Sequence, residues 1–164
     1  MPFRESRMKH ILKEVKEAGM YDFILIDCHP AFNLLNQSIL YASDYVIVPL
    51  MPGTFAMRGM EHIVAFLSNI QATSPDNHPV EILGVLLNNY NRSRKLDKFV
   101  IEKTHEIFGN HVPIFESIIP TDAGIDQAQM ICKPIGSDKE VNRFRSNKAY
   151  ICLAQEVLRN VSQS

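Results

Sequence analysis

Few residues of this chain have types and spacing that could support chemistry, and Asp27 comes first. It ends the apolar run Phe23-Ile24-Leu25-Ile26. A lone acid at the end of such a run can hold a divalent cation, directly or through water, when phosphates supply the other ligands. It can equally cap a turn, and the pattern alone leaves both readings open. Cys28 and His29 follow it, but neighbours on an extended chain point in opposite directions, so they form no thiol–imidazole pair. Cys28 reads as a small packing residue. The six histidines show no HxxxH or HExxH spacing, so a zinc site would have to assemble from distant segments. Three cysteines without a CxxC pair indicate neither a disulfide framework nor a zinc knuckle, and a reducing, cytoplasmic setting fits them.

The seven glycines are never closer together than six positions, so neither GxGxxG nor GxxxxGK[ST] can be written in these residues. A phosphate cradle of that kind needs closely spaced glycines, because residues without a Cβ let several N–H groups turn toward one anion. Positive charge is local instead. Lysines and arginines number 17 against 18 acids, for a net charge of -1, which excludes a uniformly basic coat. Residues 91–98 nevertheless carry Arg92, Arg94, Lys95 and Lys98 against Asp97 alone. A second basic segment, 133–148, includes Arg143, Arg145 and Lys148. Such clusters can neutralise DNA phosphates, or they can be solvated helix faces.

The elements that must position these residues follow from periodicity. Helical spacing predicts helices over 3–18, 33–42, 57–71, 95–108, 123–131 and 146–161. Short apolar runs predict strands at 21–27, 44–49, 81–87 and 113–119. Strands that are apolar on both faces, alternating with helices, imply an α/β fold: a mainly parallel sheet with helices on both faces. Ligands in such sheets sit at the C-terminal ends of the strands, which singles out 27–30, 49–55, 88–92 and 120–122. The 164 residues are one ordinary domain's worth, 46% hydrophobic, and need no crosslinks. The apolar runs are of strand length and the first ten residues are too charged for a signal peptide, so no membrane role is expected.

The stretch YDFILIDCHPAFNLLNQSILYASDYVIVPLMPGTFAMRGM resembles the Walker B region of the ParA and Soj partitioning ATPases, relatives of MinD. The resemblance continues through ILGVLLNNYNRSRKL, IIPTDAGIDQA and CKPI to NKAYICLAQEVL, and covers essentially the whole chain. It implies a P-loop NTPase-like three-layer sandwich, with residues 1–164 forming a single incomplete domain from Walker B to the C-terminus. Carried over residue by residue, Asp27 matches the catalytic Walker B acid that supports the magnesium of ATP, and Pro30 matches the switch proline. Asn88 stands where the family faces adenine, and Pro120 with Asp122 matches the loop on the other side of the base. His29 departs from the family's first proline, leaving the switch backbone less restricted.

The resemblance also implies nonspecific DNA binding by an ATP-bound dimer, with Arg92, Arg94, Lys95, Arg143 and Arg145 as candidate contacts, and a ParB-like centromere-binding partner. Family members carry a strand, a deviant Walker A loop and a switch acid before the helix that begins this sequence. None of these is found in the 164 residues, and the expectation is that they do not hydrolyse ATP alone. A fragment, a chain complemented by a separate N-terminal half, and a shortened non-catalytic relative that binds DNA or a partner all remain open.

Overall fold

The computed structural model describes residues 7–29, 33–73, 79–134 and 144–163. Pro30 and Arg143, singled out above, lie outside them. The element order is α1 (Arg7–Glu17), α2 (Leu34–Ala42), β1 (Tyr45–Leu50), α3 (Ala56–Ala72), β2 (Glu81–Leu87), α4 (Lys95–Phe108), α5 (Gly124–Met130) and α6 (Arg145–Gln163). Two compact units divide them, one comprising 1–46 and 61–81, the other 47–60 and 82–164.

In the first unit α1 packs against α2. The Asn33 side chain caps α2 by accepting the Asn36 N–H at 2.9 Å, as a helix start requires. Lys16 meets both carboxylate oxygens of Asp44 at 2.9 and 3.1 Å, although both side chains are about half exposed and the pair contributes little. Ile39, Leu40, Leu67 and Ile70 are buried core residues here.

The expected strand at 21–27 does not form. Residues 21–28 make no backbone–backbone hydrogen bond to another described residue. Leu25 is 91% exposed and Phe23 49%, where burial on both faces had been expected. The reason is physical: a strand exists through its ladder, and no described segment pairs with this run.

Residues 47–50 of β1 and 82–87 of β2 belong to the second unit, and the first residues of both strands to the first. Hydrogen bonds from Glu81 N–H to the Asp44 carbonyl and from Asn88 N–H to the Leu50 carbonyl advance in the same direction, so β1 and β2 are parallel. Residues Leu83 to Leu87 are all buried, as expected of a central parallel strand. Gly84 is required within it, because a Cβ there would lie 2.7 Å from the ring of the buried Phe115.

On the other side of β2, the expected strand at 113–119 is reduced to isolated parallel bridges, Val85 with Ile114 and Tyr90 with Pro120. Between them five steps on β2 and its extension oppose six on the partner, a mismatch of one residue. The cause is Glu156, a buried acid of α6 whose carboxylate accepts the N–H groups of Glu116 at 2.7 Å and Ser117 at 3.0 Å. Those amides are thereby turned away from the ladder.

The buried face of α4 is only partly apolar. Val100 and Phe108 are buried, but Phe99 and Ile107 are exposed, and the inward stripe is completed by Asp97 and Thr104. Among the described residues, no helix is long and apolar enough to cross a membrane.

Candidate functional site

The site is built where β2 ends. Asn89 takes a φ of 56°, a left-handed conformation that asparagine tolerates better than most residues, and Asn88 Oδ1 accepts its N–H at 2.9 Å. The Thr121 hydroxyl reaches back to the Asn89 carbonyl oxygen at 2.9 Å and its Oδ1 at 2.7 Å. Tyr90 N–H bonds the Ile119 carbonyl and Thr121 N–H bonds the Tyr90 carbonyl, so the two strand-end loops are knitted together.

The loop from Asn91 to Arg94 is held by Asp97. This fully buried acid in the first turn of α4 accepts the Asn91 N–H on Oδ2 at 2.8 Å, and its Oδ1 lies 3.5 Å from Arg94 Nε. A carboxylate in that turn also interacts favourably with the positive end of the helix. Asn91 Oδ1 accepts the Ser93 N–H, tightening the same loop.

A second acid organises the junction of α5 and α6. Asp122 Oδ1 accepts the Gly124 N–H at 2.8 Å and the Ser146 hydroxyl at 2.7 Å, while Oδ2 accepts the Ser146 N–H at 2.8 Å. Burial raises the Asp122 pKa, but the Ser146 hydroxyl and amide, the Gly124 amide and the Arg145 charge together outweigh it and hold the carboxyl below its ordinary value. Gly124 permits this approach, since a Cβ there would stand 2.5 Å from Phe144 Cβ and 2.7 Å from Ser146 Oγ.

These two arrangements border one open cavity of about 520 Å³. Residues 90–93 line it from the loop after β2, Ile118, Pro120 and Thr121 from the neighbouring segment, and Arg145 from the start of α6. No acidic residue is among the lining residues, and two arginines are.

The structure therefore brings together Pro120, Arg92 and Arg145. Asn88 is not among the lining residues, and its side-chain oxygen accepts the Asn89 amide. Both Asp122 oxygens are occupied by protein donors. Arg94 is engaged with Asp97, and Lys95 is exposed at the start of α4. Asp27 belongs to the first unit; it is exposed and makes no hydrogen bond or ion pair to another described residue. Partial burial and then the Asp27 charge push the Cys28 thiol up, the wrong direction for a nucleophile.

Among the described residues no group of three or more His, Cys, Asp or Glu could hold a metal ion. A single exposed carboxylate fits magnesium, a hard cation that keeps waters and takes one or two carboxylates beside phosphates. Asp97 and Ser146 were not singled out from the sequence, and Thr121 only as part of the strand-end segment 120–122. An acid in the first turn of a predicted helix was the one readable signal among them.

A parallel sheet with alternating helices and its polar loops at the strand ends define a P-loop NTPase-like fold of the ParA and MinD type. Solved structures agree: the cobyrinic acid a,c-diamide synthase of Mycobacterium smegmatis with ADP and magnesium superposes with a TM-score of 0.77 at 23% identity, covering 99% of this chain and 56% of that one. The Pyrococcus furiosus cell division ATPase MinD gives 0.67 at 22%, covering 94% and 58%. A pNOB8 ParA bound to nonspecific DNA gives 0.57 at 22%, covering 98% and 61%. At these identities the likeness establishes the fold alone.

The sequence pattern of the AAA domain family matches residues 1–82, and the chain belongs to that family. Its relatives are ParA and Soj partitioning proteins. The Treponema pallidum chromosome-partitioning ATPase Soj is 34% identical over 156 residues, 94% of this chain and 58% of Soj. The Caulobacter vibrioides chromosome partitioning protein ParA is 29% identical over 155 residues, again 94% of this chain and 56% of that protein. The chain thus spans a little over half the length of these relatives.

Proposed function

We propose that residues 1–164 together form the Walker B to C-terminal part of a ParA/Soj-type ATPase domain that segregates chromosomal or plasmid DNA. The observation that carries this reading is the similarity to Soj across 94% of the chain. The M. smegmatis neighbour holds ADP and magnesium, and the pNOB8 ParA neighbour is bound to nonspecific DNA, which supports the same two ligand classes here. Asp27 supports magnesium through water, with Pro30 in the switch segment behind it. Asn88 and Pro120 face the adenine base. Arg92, Arg94, Lys95, Arg143 and Arg145 contact DNA phosphates in an ATP-bound dimer, and a ParB-like partner stimulates turnover.

These 164 residues do not hydrolyse ATP alone, because they contain no glycine-lysine loop to surround the phosphates. Calorimetry with ATP and magnesium tests this directly: no hydrolysis is expected from the chain by itself, and steady turnover would refute the claim. When a strand and glycine-lysine loop are supplied ahead of residue 1, hydrolysis is expected to appear and to vanish in Asp27→Ala. Turnover unchanged by that substitution removes Asp27 from the mechanism.

A further inference from the structure

The segment beside β2 leaves its regular register at a place that the hydrogen bonds define. Val85 N–H bonds the Pro113 carbonyl and Phe115 N–H bonds the Val85 carbonyl, so a regular parallel ladder would next bring the Ser117 N–H to the Leu87 carbonyl. The observed donor is Ile119 at 2.9 Å, two residues further on. Ser117 N–H turns to Glu156 instead, with Glu116 N–H beside it. One residue is taken back at the left-handed Asn89, after which Tyr90 N–H bonds the Ile119 carbonyl and Thr121 N–H bonds the Tyr90 carbonyl.

α6 holds the displaced segment at both ends. Its buried residues are Ser146, Asn147 and Glu156, all polar. Glu156 takes the amides of 116 and 117, and Ser146 gives its N–H and its hydroxyl to Asp122. Between these two holds lie Pro120 and Thr121, which line the cavity, and Ile119, which is wholly buried.

We propose that Glu156 is a positioning residue for recognition of the adenine base: by drawing two amides out of the ladder it sets the register that brings Pro120, rather than Ile119, opposite Tyr90. A slip of one residue exchanges the faces to which neighbouring side chains point, so the regular register would turn Ile119 to the side where Pro120 now stands. Bonds from two amides to a carboxylate are charge-assisted and stronger than the neutral ladder bonds they replace, which is what holds the segment out of the regular ladder. The assignment rests on the proposed contact of Pro120 with adenine.

The test uses the 164-residue chain and Glu156→Met, which keeps the side-chain length and offers no oxygen acceptor. The scalar coupling across the hydrogen bond to the Leu87 carbonyl is expected to come from the Ile119 amide in the original chain and from the Ser117 amide in the variant. Adenosine is expected to shift the Tyr90 and Thr121 amide signals of the original chain and to bind Glu156→Met about tenfold more weakly. Glu156→Gln, which keeps one acceptor, is expected to retain the Ile119 coupling and to recover most of the adenosine affinity. Where Glu156→Met does not fold, amide exchange in Glu156→Gln carries the test: protection is expected to fall at Tyr90 and Thr121 as well as at Glu116 and Ser117, whereas a merely local role would loosen only the last two.

An Ile119 coupling that persists in Glu156→Met overturns the proposal, as does equal adenosine affinity in a variant whose coupling has moved. In the exchange experiment, unchanged protection at Tyr90 and Thr121 overturns it. Amide signals of the original chain that adenosine leaves unmoved defeat the adenine reading of Pro120 instead, and the coupling alone then decides whether Glu156 sets the register.

Discussion

Residues 21–27 and β2 carry the same kind of text, an apolar run followed by a polar residue, yet they end in opposite states. β2 runs between β1 and the 113–121 segment, and Leu83 to Leu87 are buried without interruption. The run from Tyr21 to Asp27 has no described partner, and Leu25 is almost wholly in water. Hydrophobicity therefore predicts what a strand would bury if it formed, whereas pairing decides whether it forms. The same contrast separates the two sets of strand-end residues: those after β2 are locked by hydrogen bonds to one another, and Asp27 makes no hydrogen bond or ion pair to another described residue.

The comparison can be broken most forcefully at matched leucines. Leu87→Ala is expected to cost about 3 kcal/mol, from lost burial and the cavity left behind, and Leu25→Ala to change stability by less than about 0.5 kcal/mol. Equal losses in urea denaturation would show that 21–27 is packed after all. Next in size, Gly84→Ala drives a methyl group into the Phe115 ring and is expected to cost about 2 kcal/mol. A neutral result would mean that Phe115 can move away and that β2 is less tightly flanked than described.

A smaller effect, about 1–2 kcal/mol, is expected for Glu156→Gln, which retains one acceptor for the two amides of Glu116 and Ser117. Amide exchange at those residues should accelerate, and unchanged protection would place the cause of the strand interruption elsewhere. The smallest effect is in pH dependence. Because the Asp122 carboxyl titrates below its ordinary value when folded, its contribution is present above the unfolded-chain value of about 4 and is lost as pH falls through the depressed folded value. Asp122→Asn should remove that part of the acid-limb slope, and an unchanged acid limb would mean that the hydrogen bonds to Ser146 and Gly124 do not persist in solution.

Much of this was legible in the residues. The spans of β2 and α4 follow from periodicity to the residue, and α2, β1, α3, α5 and α6 differ from it by no more than two residues at an end. Pro120, Arg92 and Arg145 were readable as separate candidates, because strand ends and basic clusters can be found locally. Their meeting in one cavity was not legible, since 53 positions separate the two arginines and only a packed α6 brings them together. Nor was the use of Asp97 inside the stripe of α4, where a charged residue was expected to face solvent. A buried acid needs a donor or a counter-charge; here the Asn91 amide bonds Oδ2 while Oδ1 has only the Arg94 charge 3.5 Å away, and both come from the turn of the loop, which periodicity does not describe.

The sequence by itself determined the α/β class, the order of elements, the absence of a glycine-rich phosphate cradle from these residues and the resemblance to partitioning ATPases. These depend on patterns within about ten residues of one another, the range over which helix and strand periods act. The tertiary structure alone decided that 21–27 pairs with no described segment, that 113–119 breaks around Glu156, and that Asp122 turns its carboxylate to Ser146. Each of those outcomes depends on which backbone amides come within hydrogen-bond distance of a partner remote in sequence.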